Sequence, residues 1–175
     1  MKLIYSIKMA RLCSAQWRRL VLAGVVVAGC MAALAPPGRA QAPTTVPGFG
    51  GIWLDDTGQG AIEIAQCADR LCGRIVWLRA PVDKAGRPLT DGNNPDARQR
   101  VRPICGLPVI GDLRRQRDGS WDEGWIYDPK QGKQFDVELN LRTAAALQVK
   151  RYLGIKFLSE TFLWTRAPAD LQRCG

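Results

Sequence analysis

Apolar and polar residues alternate along much of the chain after residue 50. In Phe135-Asp136-Val137-Glu138-Leu139-Asn140-Leu141 every second side chain is apolar, the period of a strand with one face in a core and the other in water. A second strand pattern, 121–128, precedes it. Asp128-Pro129 and Gly132 supply the fixed φ and the left-handed position that a tight connection between the two needs. Strand-like runs separated by turn chemistry, with 71–78 continuously apolar apart from Gly73 and Arg74, predict strands over 51–54, 61–67, 71–78, 109–117, 121–128, 133–141, 146–152 and 160–166. Asp118-Gly119 is a strong hairpin signal between the fourth and fifth. No segment carries a helical period over ten or more residues. Eight sequential antiparallel strands predict an all-β fold, either an up-and-down barrel or a compact sandwich. Closure removes exposed edges, so the barrel is preferred.

One stretch departs from the alternation. Residues 79–108, between the third and fourth predicted strands, hold the turn clusters Lys84-Ala85-Gly86-Arg87-Pro88 and Asp91-Gly92-Asn93-Asn94-Pro95-Asp96 and the basic run Arg98, Arg100, Arg102. Loops of this length are usually functional or disordered. A short helix over 96–101 is expected, with Asn94 as N-cap and Pro95 at the first helical position. Asp91, Asn93 and Asp96 depart from the spacing of a calcium loop, and turn chemistry explains them better.

The first 40 residues have a different composition. Lys2, Lys8, Arg11, Arg18 and Arg19 precede an apolar run over 20–35, and no acid occurs before residue 41. This is the pattern of a secretory signal peptide over residues 1–40, cleaved after Ala40, with residues 41–48 as a flexible leader. Met9 is an alternative start. The apolar run, 16 residues long, falls short of the roughly 20 that a spanning helix requires. Val27-Ala28-Gly29-Cys30 resembles a lipobox, but the apolar run continues past Cys30. Soluble export to the periplasm or the exterior is therefore expected, with a lipid anchor at Cys30 as the rival.

Export changes two other readings. Removing the six basic residues of the signal lowers the net charge from +9 to +3, which withdraws the main support for nucleic-acid binding. It also leaves four cysteines, Cys67, Cys72, Cys105 and Cys174, in an oxidising compartment. Cys67 and Cys72 flank a four-residue loop between strands, where α-carbons come within bridging distance. They are expected to pair, leaving Cys105 for Cys174. With no histidine in the chain, a zinc site would need all four thiolates. No metal and no cofactor are expected.

Candidate chemistry is sparse. The absence of histidine excludes a Ser-His pair and the commonest general base. Asp55/Asp56 and Asp122/Glu123 are adjacent carboxylates, and strand neighbours point to opposite faces. Asp136 and Glu138 share the face opposite the core. No Gly-rich phosphate cradle is present. The aromatic residues are more suggestive. Trp121, Trp125 and Tyr127 share a face at period two, and with Trp77 they form a candidate lining for an apolar ligand, weighed against ordinary packing. The long loop is the one segment able to cover a barrel mouth. Its Arg100 and Arg102 are candidate partners for an anionic head such as a fatty-acid carboxylate.

Gly51-Ile52-Trp53, Cys72-Gly73-Arg74-Ile75-Val76-Trp77-Leu78, Asn94-Pro95-Asp96, Cys105-Gly106-Leu107, Trp125-Ile126-Tyr127-Asp128-Pro129 with Gly132-Lys133, Leu153-Gly154 and Trp164-Thr165-Arg166 occur in that order. Together, over residues 49–166, they resemble the exported bacterial family DUF2147. That family is similar in fold to lipocalins. The resemblance implies an eight-stranded lipocalin-like barrel over 49–166 with a tail over 167–175, and it supplies no catalytic residues. Many members carry a small residue or a cysteine near the position of Tyr152. Its absence here again directs Cys105 to Cys174. The Gly51-x-Trp53 element further resembles the first-strand motif of lipocalins, in which a tryptophan packs at the closed end under an arginine from the last strand. Arg166 stands in the matching place, which implies a structural role for the pair.

The expected function is an exported module that binds a small apolar or amphipathic molecule, without enzymatic activity. The alternatives are an envelope interaction protein with a filled barrel, and a hydrolase using carboxylates alone.

Overall fold

The computed structural model describes residues 48–174. The predicted signal peptide, the lipobox cysteine Cys30 and nearly all of the leader lie outside them. Eight strands follow in sequence: β1 (Gly51–Leu54), β2 (Gly60–Cys67), β3 (Arg70–Leu78), β4 (Pro108–Arg115), β5 (Trp121–Asp128), β6 (Lys133–Thr143), β7 (Ala146–Tyr152) and β8 (Ser159–Arg166). Each pairs antiparallel with the next, and β1 pairs with β8, so the sheet is a closed up-and-down barrel. The predicted bounds differ by at most two residues at any end. The hairpin at Asp118-Gly119 forms, with Gly119 at φ 88° and the Gln116 amide bonded to the Ser120 carbonyl at 2.8 Å.

Up-and-down order sends alternate connections to opposite ends. One end carries the short turns β2–β3, β4–β5 and β6–β7; the other carries β1–β2, the long β3–β4 loop, β5–β6 and β7–β8. The short-turn end is packed solid. Trp53 is fully buried there, its indole Nε1 donates to the Phe49 carbonyl at 2.9 Å, and Phe49 meets Trp121 edge-on at 6.4 Å. Arg166, the register partner of Trp53 across the β1–β8 seam, places its guanidinium carbon 3.6 Å from the indole centroid. Its Nη1 and Nη2 donate to the carbonyls of Gly50 and Gly48, each at 2.7 Å. The indole face attracts the cation, and the guanidinium satisfies carbonyls at the entry of the chain. Gly51 has φ +112° and a side chain there would meet Arg166 Nη1 at 2.7 Å, so this close approach needs glycine.

The β3–β4 connection is ordered by its own bonds. Val82 bridges Pro88 and Thr90 bridges Pro103. A single 3-10 turn, η1 (Ala97–Gln99), replaces the expected short helix. Its N-cap is Asp96, not Asn94, because Asn94 Oδ1 accepts from the Asp96 amide one step earlier. Asp91 is fully buried: Arg102 bonds its Oδ2, Tyr127 Oη donates to its Oδ1 at 2.8 Å, and Asn94 Nδ2 donates to Oδ2 at 2.7 Å. A buried carboxylate demands such partners, and this cluster holds the loop against β5. The two disulfides Cys67–Cys72 and Cys105–Cys174 are formed, and the second ties the C-terminal tail to the same loop.

A second polar cluster pins the β7–β8 loop. Asp122 accepts from Tyr152 Oη at 2.8 Å and from Lys156 Nζ, which also reaches Glu138 Oε2 at 3.0 Å. Burial acts to raise the Asp122 pKa, but hydrogen bonds from Lys156, the Glu123 amide and Tyr152 outweigh it and hold the carboxyl below its ordinary value. A depressed folded-state pKa contributes stability that is complete above the unfolded value and lost as pH falls through the folded one. Asp122→Asn is therefore expected to lower the urea midpoint at pH 7 and to leave it nearly unchanged at pH 2. A deficit of the same size at both pH values would show that the carboxylate charge contributes nothing.

Candidate functional site

The strands enclose a cavity of about 470 Å³ that opens at the long-loop end. Its lower wall is apolar: Ile62 and Ile75 from β2 and β3, Val109 and Ile126 from β4 and β5, Val149 and Trp164 from β7 and β8. Leu78, Phe135 and Phe162 continue it upward, and Leu89 and Ile104 of the long loop close one side. The rim is polar, with Asp55, Asp56 and Gln59 from β1–β2, Asn93 from the long loop, and Asp128 and Lys130 from β5–β6. The volume lies in the range of small-molecule sites, which are mostly apolar with a few placed polar groups.

One cation lies within the wall. Arg151 continues the inward series Leu147, Val149 on β7, and its guanidinium carbon sits 4.6 Å from the Phe135 ring centroid and 4.9 Å from that of Phe162. Nη1 donates to Asp128 at 3.1 Å, and Nε donates to Glu160 at 2.7 Å. The side chain is 19% exposed. Two aromatic faces and two carboxylates thus compensate for its removal from water.

The predicted lining is largely redistributed. Trp121, Trp125 and Tyr127 do not share a face. Trp121 pairs with Leu139 and Gly124 with Val137, so three steps on β5 match two on β6. The extra residue is a bulge at Asp122-Glu123, with Glu123 at φ 60°, and a bulge reverses the alternation beyond it. Trp121 therefore points into the packed end of the barrel. Trp125 lies on the outer face with its ring against Gly111, where any side chain at residue 111 would clash with it, and donates to Asp112 at 2.9 Å. Tyr127 reaches the rim of the cavity, tied to Asp91. Trp77 pairs with Ala61, the partner of Leu54, on the outer face, and does not line the cavity.

The cationic rim is also corrected. Arg100 donates to the Asn94 carbonyl and Arg102 binds Asp91, and neither lines the cavity. Asp83, Asp91 and Asp96 pair with Arg87, Arg102 and Arg98, so the three acids of the loop match three of its bases within the loop itself. The residues that do line the cavity, Phe135, Arg151, Phe162 and Trp164, had a sequence signal. Each sits at period two in its strand, and Arg151 is a charge on an otherwise apolar face. Among the described residues, no group of three or more His, Cys, Asp or Glu side chains could hold a metal ion, and no helix is long and apolar enough to cross a membrane.

Comparison with known proteins agrees with this geometry. Among solved structures, protein HP1028 of Helicobacter pylori, described as belonging to the lipocalin family, superposes with a TM-score of 0.59 at 20% sequence identity, covering 70% of this chain and 84% of that one. Among curated proteins none matches significantly. Residues 51–166 match the family model described as "Uncharacterized protein conserved in bacteria (DUF2147)". The chain belongs to that family, DUF2147, and its fold is an eight-stranded lipocalin-like barrel.

Proposed function

We propose that the mature protein is an exported carrier or sensor that holds one small apolar or amphipathic molecule in the barrel and catalyses no reaction. The observation that carries this reading is the cavity of about 470 Å³, apolar below and polar at its rim. A barrel filled by its own side chains has no such space. The lipocalin-like fold is consistent with small-ligand binding. Two disulfides and membership of a bacterial family hint at an extracytoplasmic location. The basic and apolar first 40 residues favour export with cleavage after Ala40 over lipidation at Cys30. The absence of histidine supports binding rather than catalysis.

Native mass spectrometry of protein purified from the periplasm, followed by solvent extraction, tests the reading directly. A co-purifying or titratable ligand is expected, and Val149→Trp, which places a large ring inside the cavity, is expected to abolish its binding while leaving the fold intact. Binding that survives Val149→Trp would place the ligand elsewhere.

A second reading has its own observation. In the β7–β8 loop Leu153, Ile155, Phe157 and Leu158 are 62–92% exposed, an apolar patch of the kind that marks interaction sites. It favours an envelope interaction protein. Loss of partner capture on Phe157→Ser, with ligand binding unchanged, would separate that role from the cavity.

A further inference from the structure

We infer that the cavity selects an uncharged head group bearing a hydrogen-bond acceptor, such as an ester or carbonyl on an apolar chain, and that Arg151 is the residue that reads it. This rests on the reading of the cavity as a ligand site. Arg151 lines the cavity between the two phenyl rings, where an apolar chain lying on the lower wall would end. A guanidinium has five N–H donors. Nε and Nη2 face Glu160 and Nη1 faces Asp128. Among the described residues at most three donors are engaged, so at least two remain for a ligand.

Charge decides what those donors accept. An isolated arginine in a half-buried site would favour a carboxylate, which it can bind through both oxygens. Here the single positive charge already faces two carboxylates, so an arriving anion meets a site with net charge of −1. Asp55 and Asp56 on the same rim have no Lys or Arg within 4.0 Å among the described residues and add to that field. Lys130, also on the rim, is exposed to solvent, where its charge is screened. A neutral acceptor takes the spare N–H groups without that repulsion. A cation gains from the field but leaves the N–H groups of Arg151 without an acceptor, which costs affinity at a site partly shielded from water.

The test is tryptophan fluorescence titration of the mature protein with four probes of one chain length: methyl dodecanoate, dodecanoate, dodecylammonium and dodecane. Methyl dodecanoate is expected to bind tightest, about tenfold tighter than dodecanoate, on the order of what one extra like charge a few ångströms away costs at a partly solvated site. Glu160→Gln removes one of the two carboxylates at a side chain that is 65% exposed, so the fold is spared. It should bring dodecanoate close to the ester. Arg151→Met should erase the advantage of the ester over dodecane. Equal or tighter binding of dodecanoate or dodecylammonium by the wild type would overturn the inference, as would an ester-to-acid ratio unmoved by Glu160→Gln. Absence of binding by all four probes, or binding retained in Val149→Trp, would overturn the cavity reading and the head-group selectivity with it.

Discussion

Trp53→Ala is expected to lower the stability of the barrel by about 3–5 kcal/mol, the range for truncating a large buried aromatic side chain. Trp53 has no exposed surface, and its ring is the platform on which Arg166 rests at 3.6 Å. The loss has two parts. A cavity opens where Phe49, Trp53 and Trp121 fill the closed end, and Arg166 loses the aromatic face that offsets its desolvation. Burial already holds the Arg166 pKa below its ordinary value. The β1–β8 seam has only two register pairs, Trp53–Arg166 and Leu54–Thr165, so the ladder has little reserve where the barrel closes. Thermal unfolding should fall by on the order of 10–20 °C. An unchanged urea midpoint would mean that this pair does not hold the barrel closed.

The second large effect is expected from the Cys105–Cys174 bond. It spans 69 residues, whereas Cys67–Cys72 spans 5. On the loop-entropy account the long bridge stabilises by about 4 kcal/mol and the short one by about 2 kcal/mol. The long bridge also fixes the tail, whose Cys174 amide bonds the Val76 carbonyl at 2.8 Å and whose Arg173 meets Glu63 at 2.5 Å. The double variant Cys105→Ala/Cys174→Ala should therefore lose more than Cys67→Ala/Cys72→Ala, and should also release the loop carrying Ile104 from the cavity wall. Urea midpoints of the two double variants, with hydrogen exchange over 97–107, would measure both. Equal midpoints would show that the long closure contributes no additional entropy, and unchanged exchange would show that the bridge does not order the loop.

What the sequence by itself determined follows from local rules. Alternation at period two, together with short apolar runs bounded by turn residues, located all eight strands. Turn residues such as Asp118-Gly119 and Asp128-Pro129 located the sharp connections. An even count of cysteines, two of them across a hairpin, indicated the bridges. These features depend on near neighbours, and pattern records them directly. The Trp53–Arg166 pair was legible through the resemblance of Gly51-x-Trp53 to the first-strand motif of lipocalins, and closure of the strand set brings its two members together. The lining of the cavity was decided by the tertiary structure. A single extra residue at Asp122-Glu123 turned Trp125 and Tyr127 away from the face of Trp121, and a period count across a strand cannot register a bulge that only the pairing with β6 creates. The long-range ion pairs were equally hidden. Asp91 took Arg102 out of the rim, while Asp128 and Glu160 gathered around Arg151 from two other strands. Charge along the chain counted the loop arginines as available, whereas charge in space shows where each one is already matched.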